Sequence, residues 1–298
     1  MISLLLAAAL TLIPLDEAAK YPEGPLWQGG KLYVAEMGAD SVFIREGLGK
    51  RIFFRQRGCG PTAIAPYQNG FVVLCHLGRR LALIDAQGAL LRNVESDSTG
   101  KPFDDPNDCF ADAQGGVYFS DPGVFSKDAE ASGEVYYLDA RGKVRVVAGD
   151  LRYPNGVYVD RARGRLLVSE HLARRVLAFP IRGTGRLGPA AVFADIEALT
   201  LQRGQYREAG PDGLERAPNG EILVALYGEG RLLRLNGEGK LLGEILVPAP
   251  FVTNMAFDSQ GRGAVVGAFV NDLPPFLGGV WQIDGFGAIP AKPAAPQH

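Results

Sequence analysis

Two carboxylates, two amides and two hydroxyls occupy one recurring position in this sequence, the middle of a short turn that opens into an apolar run. The turns read Pro22-Glu23-Gly24, Pro61-Thr62-Ala63, Pro106-Asn107-Asp108, Pro154-Asn155-Gly156, Pro211-Asp212-Gly213 and Val252-Thr253-Asn254. Every hard donor in this set is oxygen, with no thiolate or imidazole. Such a set favours calcium or magnesium over zinc or copper. Calcium accepts irregular shells of about six to eight oxygens, amide carbonyls and water included. Glu23 and Asp212 match the charge of a divalent cation, and without one they would raise each other's pKa. The plain alternative is turn chemistry, since Asn and Asp before Gly stabilise turns with their own side chains; Asn219-Gly220 is such a turn. Glu23 argues for the metal, because a Pro-Glu-Gly-Pro turn gains little from a glutamate. Glu23, Asn107, Asn155 and Asp212, in phase, are the expected metal ligands.

What must position them is a repeat. The turns recur at roughly 40 to 55 residues, a period at which each unit is too small to bury its own face. In the third unit, strands are expected from Asp108, over Val117 to Asp121, over Glu134 to Leu138 and from Lys143, joined by Gly- and Asp-bearing turns. The other units follow this pattern, and helical periodicity is weak everywhere except for a turn or two in Asp195 to Gln205. The predicted fold is all-β: a six-bladed β-propeller with four-stranded antiparallel blades. The turn before each innermost strand then lies at the mouth of the central channel.

The expected organisation is a propeller domain over 21–287, a tail from 288 to 298, and an N-terminal segment, 1–20, with two readings. Ile2 to Leu15 is apolar and too short to span a bilayer as a helix. It is either a signal peptide, implying a periplasmic or secreted protein, or a ring-closing strand of a cytoplasmic one. Net charge of −2 and a pI near 6.0 give no electrostatic case for nucleic acid or an anionic membrane. The expected partner is a small-molecule substrate, with no nucleic acid and no transmembrane span. Cys59, Cys75 and Cys109 are odd in number and irregular in spacing, and read as buried thiols rather than a disulfide framework.

Tyr21-Pro22-Glu23-Gly24-Pro25-Leu26-Trp27 resembles the opening motif of the SMP-30/gluconolactonase/regucalcin-like family. Pro106-Asn107-Asp108 with Gly116 to Pro122 resembles its bacterial gluconolactonase branch. Pro154-Asn155-Gly156-Val157, Gly210-Pro211-Asp212-Gly213-Leu214 and Val252 to Phe257 are similar to its later motifs, in family order. The resemblance implies a six-bladed calcium-binding propeller, usually a lactone hydrolase. It puts Glu23, Asn155 and Asp212 on the family's metal ligands and Asn107 on a metal- or substrate-binding position. Pro106 departs from the animal branch, which often has a sugar-contacting arginine there.

The expected function is therefore calcium-dependent opening of a lactone ring, with one divalent cation as Lewis acid. Asp212 is the first candidate for general base. His76, at a strand end in Cys75-His76-Leu77-Gly78-Arg79-Arg80, is the second catalytic candidate. Asp108, beside Asn107, is taken with it as substrate-binding. Glu170-His171, at the equivalent strand end of the fourth unit, has two readings, a place at the mouth and an ordinary strand end, and the second is preferred. Loop walls are expected from Pro122 to Gly133 and from the stretch bearing Gln202, Arg203, Gln205, Tyr206 and Arg207; Leu273 to Leu277 is a candidate lid. A phosphotriesterase-like hydrolase on the same metal and a non-catalytic binding propeller are the alternatives.

Overall fold

In the computed structural model, described over residues 10–46, 49–201, 206–271 and 276–286, the chain is a succession of short antiparallel meanders. Four of the sheets stand separately, and each is entered by an innermost strand bearing a site turn or following one. The first comprises Pro22–Gln28, Lys31–Glu36, Ser41–Glu46 and Gly49–Arg55. The second comprises Pro61–Tyr67, Gly70–Cys75, Arg80–Asp85 and Leu90–Val94. The third begins at Cys109–Ala111 and ends at Val144–Leu151; the fourth begins at Pro154–Asp160 and reaches Ala191–Asp195. The remaining strands form one eight-stranded sheet. One half of it is Gly210–Arg216, Ile222–Tyr227, Arg231–Leu235 and Leu241–Leu246. The other is Phe251–Phe257, Gly263–Ala268, Leu277–Asp284 and the N-terminal strand Thr11–Lys20, and the halves meet through the pair Tyr227 and Phe251. This is an all-β, propeller-like fold of four-stranded antiparallel units. The helical turn expected near Asp195 is Ile196–Leu199, capped by the Asp195 carboxylate on the Ala198 N–H.

Alternating side chains of each sheet pack against the next sheet around the ring. Val72, Leu74, Leu81 and Leu83 of the second sheet meet Val117, Phe119, Tyr136 and Leu138 of the third in one buried cluster. Tyr33, Val42 and Ile44 of the first meet Ile64, Val73 and Ile84 of the second in another. Trp281 and Ile283 of the last strand meet Leu223 and Leu232 of the preceding half-sheet. In these clusters, among the described residues, the apolar face of one unit is covered by its neighbour.

At the inner edge, backbone meets backbone. A Cβ on Gly24 would lie 2.4 Å from the Thr62 carbonyl oxygen, and one on Gly156 would lie 2.2 Å from that of Asp212. A Cβ on Gly213 would meet the Asn254 side chain at 2.3 Å. The glycine after Glu23, Asn155 and Asp212 is thus required by close approach of the next inner strand.

The cysteine expectation is corrected: Cys59 and Cys75 form a disulfide with Cα atoms 4.4 Å apart, and Cys109 is a buried free thiol. Cys59 lies two residues before Pro61, which pairs with Cys75 across the hairpin. The pairing register therefore brings together two thiols that are 16 residues apart in sequence. Among the described residues, no helix is long and apolar enough to cross a membrane.

Gly156→Ala is expected to destabilise the fold by about 2 kcal/mol or more, because the obstacle is backbone rather than a movable side chain. Thermal unfolding should show the midpoint falling by at least about 4 °C; an unchanged midpoint would contradict the close approach.

Candidate active site at the channel mouth

Five of the six site turns interrupt a strand ladder; the Asn107 turn instead precedes the strand Cys109–Ala111. The register shifts between Glu23 and Leu26, Pro61 and Ala63, Pro154 and Val157, Pro211 and Leu214, and Val252 and Asn254. A bulge bends a strand and re-aims one side chain. At four of these bulges the result is convergence: Glu23, Thr62, Asn155 and Asp212 line one cavity of about 560 Å³, joined there by Asn107 and His76. Thr253 does not line it; its hydroxyl donates to the Pro22 carbonyl at 2.9 Å.

Hydroxyls from neighbouring units hold the turns in place. Thr62 Oγ1 donates to the Asn107 carbonyl, Ser120 Oγ to that of Asn155 and Ser169 Oγ to that of Asp212, each at 2.6 Å. Ser120 and Ser169 were not singled out in the sequence. The available signal was their shared place one residue before an acid at a strand end, in Phe119-Ser120-Asp121 and Val168-Ser169-Glu170. Asp121 and Glu170, with Glu36 at the matching strand end of the first sheet, secure the incoming loops. Glu36 accepts the Lys20 N–H at 3.0 Å, Asp121 accepts the N–H groups of Asp104 and Asp105, and Glu170 accepts that of Arg152 at 2.8 Å. Each anchored loop leads within a few residues into Glu23, Asn107 or Asn155.

The electrostatics are those of a site built for positive charge. Burial pushes the Glu23 carboxyl well above its usual range, and the charges of Asp212 and Asp108 push further. Asp212 is likewise raised, by burial and then by Asp108. Asn155 Oδ1 is buried without a hydrogen-bond partner. An orphaned buried carbonyl beside two desolvated carboxylates costs free energy that a cation would recover. Glu23, Asn107, Asn155 and Asp212 therefore fit a divalent cation. Among the described residues no three His, Cys, Asp or Glu side chains are grouped to hold a metal, so such a site depends on its amides.

Asp108 does not line this cavity. It faces a second space of about 280 Å³ that also borders Glu215 and Asn254. Its carboxylate accepts the Val157 N–H at 3.0 Å and the Asn254 amide at 3.3 Å, and burial lifts its pKa to about 7. Direct substrate contact by Asp108 does not fit that placement.

His76 lines the cavity, with Nδ1 3.1 Å from the Asp105 carbonyl oxygen. His171, read as an ordinary strand end, lines it too, buried between two carbonyls: Nδ1 is 3.1 Å from Pro211 O and Nε2 2.7 Å from Glu208 O. It thus ties the Asp212 turn to its neighbour. Of the expected walls, Gly123, Val124, Phe125 and Phe276 line the cavity. Tyr206 packs on Tyr227 and Phe251, and Arg207 pairs with Asp128 at the surface. Gln202, Arg203, Gln205 and Leu273 to Pro275 lie outside the described residues.

The fold and site together define a propeller-like ring with an oxygen-lined, acid-bearing cavity at its mouth. The chain belongs to the SMP-30/Gluconolactonase/LRE-like region family, which matches residues 21–265. Lactonase drp35 of Staphylococcus saprophyticus is 27% identical over 228 residues, covering 74% of this chain and 67% of the relative. A 6-deoxy-6-sulfogluconolactonase of Pseudomonas putida is 26% identical over 193 residues, 65% of this chain and 62% of the relative. Two solved structures share the fold, each with a TM-score of 0.75. A gluconolactonase from Xanthomonas campestris has 24% identity, with 93% of this chain and 90% of that one covered. A calcium-binding protein, regucalcin, from Agrobacterium tumefaciens has 21% identity, with 92% and 93% covered.

Burial lowers the His171 pKa to about 4, against the pull of the two carbonyls toward the charged form. The unfolded chain, near 6.5, binds the extra proton first, so stability falls as pH drops from about 6.5 to about 4. The linked loss is up to about 3 kcal/mol. His171→Gln has no such group, so the gap in melting temperature between wild type and variant should narrow across that window. Parallel pH profiles would contradict the assignment.

Proposed function

We propose that this chain is a divalent-cation-dependent hydrolase that opens lactone rings, built as a six-bladed propeller. In this reading the eight-stranded sheet counts as two blades, and the N-terminal strand closes the ring against Leu277–Asp284. The observation that carries the proposal is the buried, unpartnered Asn155 Oδ1 in one cavity with the desolvated carboxylates of Glu23 and Asp212. The lactonases among its relatives support the reaction class.

Glu23, Asn107, Asn155 and Asp212 are the proposed ligands, and calcium the proposed cation, because the donors are all oxygen and two are neutral amides. Bound there, the cation would supply Lewis-acid stabilisation of the charge that builds on the ring carbonyl oxygen, worth several kcal/mol. Asp212 is the proposed general base: its carboxylate accepts a proton from the attacking water as the oxygen closes on the carbonyl carbon. Ser169 and His171 position that carboxylate through the Asp212 and Pro211 carbonyls. His76, held at the Asp105 carbonyl, orients the substrate and relays a proton to the alcohol released as the ring opens. Asp108 acts from below, bracing Val157 and Asn254.

The test is cation content by elemental analysis beside a pH-indicator assay on several lactones and a phosphotriester. About one calcium per chain and chelator-sensitive lactone turnover are expected. Asp212→Asn should lose both, while His76→Ala should keep the cation and lose about tenfold or more in kcat. An Asp212→Asn enzyme with full cation content and full turnover, or a preference for the phosphotriester, would overturn the proposal.

A further inference from the structure

Above the oxygen donors the cavity changes character. Phe125, Tyr153, His171 and Tyr227 form a connected aromatic wall. Phe125 lies 4.8 Å from Tyr153, 5.4 Å from His171 and 6.5 Å from Tyr227 between ring centroids. His171 and Tyr227 are 5.7 Å apart. Met37 and Phe276 extend the wall, and Leu77 and Val124 stand at the rim with 61% and 65% of their surface exposed. Large apolar side chains left open to water at the entrance of a cavity mark a surface that a ligand covers.

Of the polar groups on this wall, the Tyr227 hydroxyl and both His171 ring nitrogens already face protein partners. Tyr21 and Tyr227 share a hydroxyl–hydroxyl bond of 2.7 Å, and the Tyr227 hydroxyl also bonds to Asn271. Both His171 nitrogens face backbone carbonyls. A site that reads a polyol must present hydrogen-bonding groups to the substrate hydroxyls, and burying those hydroxyls without partners is costly. The charged lining residues among the described ones are Glu23, Asp105 and Asp212, all acids, with no lysine or arginine. With the cation held by Glu23 and Asp212, the described lining offers an anionic substituent no further counter-ion.

We infer that the mouth selects uncharged lactones bearing a flat apolar substituent, over polyhydroxylated or anionic sugar lactones. This specificity rests on the lactone-hydrolase reading above and adds the substrate class to it. The carbonyl end of the lactone faces the Glu23, Asn155 and Asp212 floor while the substituent packs on Phe125 and Tyr227.

The experiment compares kcat/KM of the cation-loaded full chain for three lactones: a phenyl-substituted δ-valerolactone, glucono-δ-lactone and a lactone carrying a free carboxylate. The phenyl compound should exceed both others by at least about tenfold, the worth of burying one aromatic group. Phe125→Ala should raise KM for the phenyl compound by about tenfold with kcat little changed, because the ring binds ground and transition states alike. Val124→Lys, at an exposed rim position, should raise kcat/KM for the carboxylate lactone. Equal or better turnover of the sugar or anionic lactone by the wild type would overturn the inference while leaving lactone hydrolysis standing. A phenyl preference untouched in Phe125→Ala would overturn the assignment of the wall. Turnover of none of the three would overturn the lactonase reading itself, and the inference with it.

Discussion

The site depends on how closely neighbouring innermost strands approach one another. Immediately after Glu23, Asn155 and Asp212 the chain has room for no side chain, because the next strand already occupies that space. That approach lets Thr62, Ser120 and Ser169 reach across and donate to the carbonyls of the next unit's turn. The same closeness forces side chains of separate units, 132 residues apart from Glu23 to Asn155 by their numbering, into one small volume. Position at the mouth is thus a consequence of packing at the inner edge, and the bulges convert it into direction.

Closeness has an electrostatic cost. Glu23, Asp212 and Asp108 are all buried and all raised above the ordinary carboxylate range. A fold selected for stability alone would replace such groups, since buried acids without a counter-charge oppose folding. Their retention beside an unpartnered amide oxygen is the kind of local inconsistency that marks a functional site. The acids of the supporting shell are by contrast satisfied: Glu36, Asp121 and Glu170 accept backbone N–H groups.

Much of this was legible in the sequence because the repeat carries it. Turn, apolar run and second turn recur in phase, so the all-β class, the strand pattern and the convergence of Glu23, Asn107, Asn155 and Asp212 follow from spacing. The misses are features that spacing does not encode. Cys59 and Cys75 pair because of hairpin register, which is visible only once Pro61 is opposite Cys75. Thr253 shares the phase of the other turn residues but donates to Pro22. Asp108 is next to a cavity residue, yet its carboxylate is taken up by the Val157 N–H and the Asn254 amide and borders the second space instead. His171 looks unremarkable in sequence because its role is defined by Pro211 and Glu208, about 40 residues away.

The central claim is that side chains from separate units grip a single hard cation at the channel mouth. The most direct measurement is an anomalous difference map from crystals of the full chain grown with calcium and soaked with a lanthanide. The account predicts one strong peak bonded to Glu23, Asn155 and Asp212, with Asn155 Oδ1 among the ligands. A map with no peak there, or with the ion bound only to other groups, would contradict it.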